Sequence, residues 1–307
     1  MALDTRIRRP RSLDTSGGFL IALASFMFGG VVVLGKIVEN SGLPTAPFLA
    51  ARFLGAGTLL LVALAGLRQP LRPARAEGWR LAALGMAGYA VEAWMFFAAI
   101  RHGTAAAVTL LFFTYPVFVA LLSMATGKGM PGILLIASMA AAVAGAALVV
   151  LSSGGLDITT AGVLLALGAA LGFSLYLVGA ELVLKETNSL TGAMWVSMSA
   201  GTVLAAFAVV SGGWAWPQGW HQWGPVIGTA AFTAGAFVCL FAGLRRLGSV
   251  RTSIVAASEP LAATVLAVIF LGEPLRSGVV AGGVLILAGA VAASLARGRA
   301  AAEPPVP

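Results

Sequence analysis

The sequence predicts an all-α integral membrane protein with ten transmembrane helices in two inverted five-helix repeats, and with both termini in the cytoplasm. Three observations predict this fold: the apolar composition, the spacing of apolar blocks between basic connections, and a repeat at one fixed offset. Of the 307 residues, 59% are hydrophobic and 10% are charged, against about 45–50% and about 25% in soluble domains. A soluble monomer of this size could not cover so much apolar surface.

Ten apolar blocks are long enough to cross a bilayer, which takes about 20 mainly apolar residues. Breakers such as Pro44, Pro70 and Pro274 lie between them. In chain order the predicted spans are about Gly17–Val38, Thr45–Leu67, Trp79–Ile100, Thr104–Ala125, Pro131–Leu151, Thr160–Leu184, Leu190–Val210, Gly224–Leu244, Val250–Leu271 and Leu275–Ala296. The first block exceeds the usual core of a signal peptide, so we interpret it as a retained helix.

Basic residues predict the orientation, because Lys and Arg favour the cytoplasmic side of a membrane. With the N-terminus inside, one side carries 15 of the 19 Lys and Arg residues. The other side carries only Arg101 and Arg276, and Lys36 and Arg52 remain inside spans. The formal net charge of +8 is therefore a sign of topology. Since no basic stretch is interleaved with aromatic residues, nucleic-acid binding is not expected.

An internal repeat becomes visible when the sequence is shifted along itself by 144 residues. The coinciding residues include the pairs Trp79 and Trp223, Arg101 and Arg245, and Pro116 and Pro260. Each copy holds five spans, and an odd number forces the second copy to enter from the opposite face. The predicted organisation is a cytoplasmic N-terminal segment (1–16), a first repeat (17–152), a second repeat (157–296) and a cytoplasmic C-terminal tail (297–307).

Ionisable residues inside the predicted spans are the candidates for substrate binding or ion coupling. A charge at a helix centre costs about 2.5–3.5 kcal/mol on insertion scales, so such a residue usually faces a cavity or a partner. Glu92 and Glu259 lie near the middle of spans three and nine, where either carboxylate could carry a proton or contact a substrate ammonium. Lys36 or Arg52 could attract a substrate carboxylate. The alternatives are snorkelling for Lys36, and an outer vestibule or pairing with Glu39 for Arg52.

Four aromatic residues are further candidates for the cavity wall. Tyr89 and Trp94 share span three with Glu92, and Tyr115 lies in span four. Tyr176 in span six has a polar tip that needs a partner, which favours an inward orientation. Rings that face lipid or the core are the common alternative.

Two prolines at equivalent positions are hinge candidates. Pro116 and Pro260 lie near the middle of spans four and nine, where each is predicted to kink its helix and free backbone carbonyls. A static kink that only shapes packing is the alternative.

Several short motifs carry a resemblance to a known family. They are Arg52-Phe53, Tyr115-Pro116, Leu244-Arg245-Arg246-Leu247-Gly248, Ser258-Glu259-Pro260 and Leu271-Gly272-Glu273-Pro274. With these motifs, over about residues 17–296, the chain resembles the EamA family of ten-helix carriers in the drug/metabolite transporter superfamily. The resemblance implies a multi-pass carrier of the bacterial inner (plasma) membrane. Such a carrier would export amino acids, with aromatic or hydrophobic amino acids as the leading candidates, or similar small metabolites.

The residue inventory favours a carrier over an enzyme. The three aspartates lie outside the spans, His102 and His221 lie in separate loops, and there is no phosphate-binding loop. We therefore expect no catalytic residues, metal or cofactor. The expected partners are a small-molecule substrate, the lipid bilayer and, as the candidate coupling ion, protons, while the oligomeric state stays open. A passive facilitator or channel is the alternative, and a membrane-embedded enzyme is a more distant one.

Overall fold

The computed structural model describes residues 15–103, 108, 111–128, 131–153, 158–271 and 277–300. The N-terminal arginines, Arg276 and most of the Leu271–Pro274 motif lie outside the described residues. Among the described residues, the regular elements are helices. In chain order they are α1 (Thr15–Asn40), α2 (Thr45–Gly66), α3 (Gly78–Ile100), α4 (Tyr115–Ser123), α5 (Ile133–Ser153), α6 (Thr160–Val183), α7 (Ser189–Val210), α8 (Gly219–Leu247), α9 (Ser249–Ala256), α10 (Glu259–Leu271) and α11 (Ser277–Ala300).

Six of these described helices, α1, α2, α3, α6, α7 and α8, are long and apolar enough to cross a membrane. Their ends follow from local chemistry. The side chains of Thr159 and Asn188 accept hydrogen bonds from the first turns of α6 and α7, which satisfies backbone donors that a helix leaves open. Helix α8 ends at Leu247, and the next residue, Gly248, has a φ of 77°, which suits a residue without a Cβ. Helix α8 begins at Gly219, five residues before the predicted start of span eight.

The predicted spans four and nine are not continuous helices, which corrects the prediction for the two prolines. Helix α4 begins at Tyr115, and α9 ends at Ala256 before α10 begins at Glu259. Each proline is thus the second residue of its helix, where a missing N–H costs no hydrogen bond. Pro116 and Pro260 each lie in the first turn of a new helix, after a break in the helical structure. They do not kink the interior of a continuous helix.

The 144-residue offset recurs in the helix boundaries. Adding it to the bounds of α2 gives the bounds of α7. The same shift takes the first residue of α4 to that of α10, and the first residue of α5 to that of α11. Helix packing is also equivalent in the two repeats. Helix α1 packs on α8 as α6 packs on α3, and α1 packs on α10 as α6 packs on α4. Equivalent helices also pair directly, as α2 with α7 and α5 with α11.

Glycines allow α5 and α11 to approach backbone to backbone. A Cβ on Gly145 would lie 2.6 Å from the carbonyl oxygen of Gly282, and one on Gly289 would lie 2.7 Å from that of Ser138. These two contacts are equivalent under the repeat. Such close approach is typical of small residues between helices in a membrane.

Candidate functional site

A small cavity lies between the repeats and contains three of the ionisable candidates. Its lining includes Arg52 from α2, Tyr89 and Glu92 from α3, and Glu259 from α10. The rest of its wall is apolar: Phe28, Val31, Val32, Ala93, Phe96, Phe97, Phe112 and Phe173. The cavity volume is about 60 Å³, room for about two to four water molecules.

Arg52 is the cation of this cavity, and its position is fixed by neighbouring helices. It is only 4% exposed, and its Nε donates a 2.7 Å hydrogen bond to Oγ1 of Thr233 on α8. Its guanidinium carbon also lies 4.7 Å from the centre of the Phe53 ring, a distance at which cation and ring attract. Its charge acts on Tyr89, Glu92 and Glu259. An arginine held in this way keeps its planar guanidinium in a fixed orientation, and that geometry suits a carboxylate.

The two carboxylates reach the cavity from different repeats. Glu92 is 6% exposed on α3, and its Cβ lies 3.4 Å from the Cβ position of Gly172 on α6. Glu259 is the first residue of α10. The partial positive charge at that helix end favours a carboxylate there. With all three side chains ionised, Arg52, Glu92 and Glu259 would give the site one net negative charge.

Tyr89 connects the cavity to a network of aromatic rings. Its ring centre lies 4.7 Å from that of Phe237, 4.9 Å from that of Tyr176 and 5.4 Å from that of Phe53, all edge to face. Tyr89 is also the last residue of a π-helical turn, Leu84–Tyr89, inside α3. Turns of this kind occur often at functional sites, because they change which way the following side chains point.

Side chains satisfy the backbone at the helix breaks. The Tyr115 hydroxyl donates a 3.1 Å hydrogen bond to the carbonyl oxygen of Ser253 on α9. The carbonyl oxygen of Tyr115 in turn accepts a 3.0 Å bond from the hydroxyl of Ser174 on α6. Ser25 on α1 donates to the carbonyl oxygen of Ala256 at 3.4 Å. Broken helices persist at membrane depth only where neighbouring groups satisfy their backbone in this way.

The other predicted site residues lie away from the cavity wall. Tyr115 is buried beside it in contact with Phe173, with ring centres 4.9 Å apart. Tyr176 is fully buried, and within the described part of the chain its hydroxyl has no hydrogen-bond partner. Lys36 is exposed near the end of α1. Trp94 is 37% exposed and contacts Phe207 in an apolar surface groove, because it lies on the other side of α3 from the cavity.

Sequence reasoning missed Thr233, Phe28 and Phe173. Thr233 was inconspicuous because a threonine in an apolar span usually bonds its own helix. The repeat offered a signal, since Thr233 is equivalent to Tyr89, and Glu259 is equivalent to Tyr115, at the 144-residue offset. Candidate positions in one half are therefore equivalent to positions at the cavity in the other half.

A layer of fully buried side chains closes the cavity toward the C-terminal ends of α6 and α8. Tyr176, Phe237 and Phe241 have no exposed surface, and Leu244 has 1%. Phe237 and Phe241 stack at 6.0 Å. On α8, Phe237, Phe241 and Leu244 follow Thr233 along one face at intervals of three or four residues. This side of the layer therefore extends for about three helical turns.

Beyond this layer, a clamp fixes the connection between α6 and α7. The Glu77 carboxylate accepts hydrogen bonds from the backbone N–H groups of Lys185, Glu186 and Thr187 at 2.8–3.0 Å. From the other side, Arg245 donates to the carbonyl oxygens of Thr187 and Lys185. Burial acts to raise the pKa of Glu77, but a hydrogen bond from the Thr187 side chain and the three backbone hydrogen bonds outweigh it, so the pKa lies below its ordinary value. Glu77 is therefore a stabilising anion at this end of the helices.

Comparisons with known proteins agree with the repeat and with the resemblance in the sequence. Residues 15–151 and 160–295 each match the model of the EamA-like transporter family. No curated protein matches the chain. One solved structure, described only as the crystal structure of a protein, superimposes with a TM-score of 0.78 at 17% identity. The alignment covers 94% of this chain and 99% of that one, which shows a shared fold.

Proposed function

Because the chain belongs to the EamA-like transporter family, we propose that it is a secondary transporter that exports amino acids by alternating access. Aromatic or hydrophobic amino acids are the leading candidates, followed by similar small metabolites. One observation carries the proposal: a buried arginine and two carboxylates share one cavity that is otherwise lined with apolar and aromatic side chains. Outward direction and amino-acid class also draw on the resemblance to the family's amino-acid exporters.

The proposed topology is ten spans in two inverted repeats, with both termini in the cytoplasm of a bacterium and the helices in its inner membrane. The repeated helix boundaries support it, as does the bias of basic residues toward one side. Discontinuous helices near a site between repeats are also typical of transporters built in this way. In this topology the breaks before α4 and α10 act as paired hinges.

The proposed recognition uses both ends of a zwitterion. The Arg52 guanidinium binds the substrate carboxylate, since its Nε bond to Thr233 fixes the orientation of the planar fork. Glu92 and Glu259 attract the ammonium group, and one of them carries a proton when the site is free. Phe28, Phe112 and the other apolar residues of the wall contact the substrate side chain.

Loading the site requires a wider cavity than the described conformation has. Pockets that hold small ligands usually measure about 300–1,000 Å³, whereas this cavity measures about 60 Å³. We therefore assign the described conformation to a contracted state. Movement at the helix breaks would open the cavity on one side while the buried aromatic layer closes the other.

The test is uptake of labelled L-phenylalanine, L-leucine and L-alanine into vesicles that hold the purified protein, with and without a pH gradient. We expect uptake of phenylalanine or leucine that depends on the gradient. Glu92→Gln or Glu259→Gln should abolish the dependence on the gradient, and Arg52→Lys should weaken uptake less than Arg52→Gln. Glu39→Gln is the control, because Glu39 is an exposed carboxylate outside the cavity.

Two results would contradict the proposal. Full gradient-dependent uptake by both glutamine variants would remove the proton-carrier role. A steady single-channel current in a planar bilayer, without exchange of substrate across vesicles, would instead support a passive facilitator or channel.

A further inference from the structure

A second, larger cavity opens at the C-terminal ends of α6 and α8, on the far side of the buried aromatic layer. Its volume is about 640 Å³. We refer to it as the basic basin, after the four cationic residues in its lining: Lys185, Arg245, Arg246 and Arg251. Glu181 is the carboxylate in the same lining. The transport proposal makes no use of this basin.

The basin is built by side chains and backbone in defined positions. The Glu181 carboxylate accepts a 2.8 Å hydrogen bond from the backbone N–H of Ser249, at the first turn of α9. Arg245 is fixed by the α6–α7 connection. Arg251 is only 7% exposed, whereas Lys185 and Arg246 are exposed at the opening. Among the described residues of the lining, four cations against one carboxylate give an excess of positive charge, which selects for an anion.

The basin lies at the end of the molecule where α1 begins. A Cβ on Gly17 would lie 3.0 Å from Cβ of Arg246, so the opening is next to the start of the first span. In the proposed topology this is the cytoplasmic end, at the depth of the lipid headgroups.

An apolar surface continues from the basin along the outside of the helices. Leu135 and Val250 line the basin itself. Next to Leu135 on α5, Ile133 is 82% exposed and Leu134 is 37% exposed. A soluble anion would use only the cations, whereas a phospholipid would use both surfaces, with its phosphate in the basin and an acyl chain along α5.

We propose that the basic basin binds the headgroup of an anionic phospholipid. Arginine side chains suit its phosphate, because their planar forks donate two hydrogen bonds to neighbouring oxygens. Basic pockets between transmembrane helices at the headgroup level are suited to such lipids. The lipid would fasten the end of α8 to α5 and α6 beside the clamped α6–α7 connection.

The test measures thermal unfolding of the full-length protein in neutral detergent by tryptophan fluorescence. Phosphatidylglycerol, phosphatidylcholine and inorganic phosphate are titrated separately into the wild type. The same titrations are made with Lys185→Gln/Arg246→Gln, and with Arg72→Gln/Arg75→Gln as the matched control. The control removes two exposed cations from the connection between α2 and α3, which contacts the α6–α7 connection but does not line the basin.

We expect phosphatidylglycerol alone to stabilise the wild type. Each cation near an anionic lipid contributes about fivefold in affinity, so the basin variant should need about 25-fold more phosphatidylglycerol for half its effect. The control should respond as the wild type does, and Arg246→Lys should keep most of the response because it keeps the charge.

Three results would overturn the proposal. If the basin variant and the control both need more phosphatidylglycerol by the same factor, the lipid is attracted by the surface charge in general and not by the basin. Equal stabilisation by inorganic phosphate would mean a site for free anions, and equal stabilisation by phosphatidylcholine would mean that charge plays no part. Because the readout is stability and not transport, these outcomes are independent of the transport proposal.

Discussion

Thr233→Val tests whether the position of Arg52 matters for substrate binding. The change keeps the shape of the side chain and removes the hydroxyl that accepts a 2.7 Å hydrogen bond from Arg52 Nε. Thr233 is fully buried, so no bulk water replaces the lost acceptor. Without this bond Arg52 gains side-chain freedom, although it still contacts the Phe53 ring, and that freedom is lost again when the substrate carboxylate binds.

The magnitude follows from that ordering cost. Immobilising one flexible side chain costs about 0.5–1.5 kcal/mol, which corresponds to an affinity about 2- to 13-fold weaker. The lost hydrogen bond to a charged group also lowers the free energy of unfolding by about 1.5–3 kcal/mol. Both effects should be smaller in Thr233→Ser, which keeps a hydroxyl.

The assay is competition for uptake of labelled L-phenylalanine into vesicles by unlabelled L-phenylalanine or by phenylethylamine, which lacks the carboxylate. Thr233→Val should weaken competition by phenylalanine and leave competition by phenylethylamine unchanged. The matched control is Thr229→Val, because Thr229 is equally buried but donates to the carbonyl oxygen of Val226 in its own helix. Equal weakening of both competitors, or equal effects of the two variants, would refute the role given to Arg52.

Three further predictions concern stability, and thermal unfolding of each variant measures them. Tyr115→Phe should lower the free energy of unfolding by about 0.5–1.5 kcal/mol, because it removes the hydrogen bond to α9. The control, Tyr176→Phe, removes a hydroxyl without a described partner and should not lower it. Equal losses in the two variants would contradict the role of the Tyr115 bond. Gly145→Ala should lower the free energy of unfolding by about 1–3 kcal/mol through overpacking. The control, Gly66→Ala, should not lower it, because no atom lies within 4 Å of the new Cβ. An unchanged free energy of unfolding in Gly145→Ala would exclude the close packing of α5 on α11. Glu77→Gln should destabilise at pH 7. Because the folded-state pKa of Glu77 lies below its ordinary 4.5, its contribution is full above about pH 4.5 and is lost as the pH falls through the lower folded value. A difference between Glu77→Gln and the wild type that is as large at pH 3 as at pH 7 would contradict the clamp.

The length of the apolar blocks and the breakers between them predicted the six long described helices, because length and hydropathy alone decide whether a segment can cross a bilayer. The bounds of α2 and α7 repeat at the offset found in the sequence. The breaks before α4 and α10 were harder to predict. A proline inside a long apolar block is equally compatible with a kink and with a new helix start. Only the neighbours, such as Ser174 and Ser253, decide which occurs.

The candidate site was predicted in part, because the rarity of intramembrane charge pointed to Arg52, Glu92 and Glu259 but not to how they meet. Their shared cavity depends on helix rotation, which hydropathy does not encode in an almost wholly apolar segment. The same ambiguity explains Trp94, which lies two residues after Glu92 and therefore faces away from the cavity. Thr233 depends on a contact across 181 residues of sequence, which no local pattern reveals.

Counterflow is the most direct test of the claim that the Arg52 cavity carries amino acids. Vesicles holding the purified protein are preloaded with unlabelled L-phenylalanine, and entry of the labelled amino acid is followed. The account predicts faster labelled entry into preloaded than into empty vesicles, with loss of this acceleration in Arg52→Gln and its retention in Glu39→Gln. Equal entry into preloaded and empty wild-type vesicles, or acceleration that survives Arg52→Gln unchanged, would contradict it.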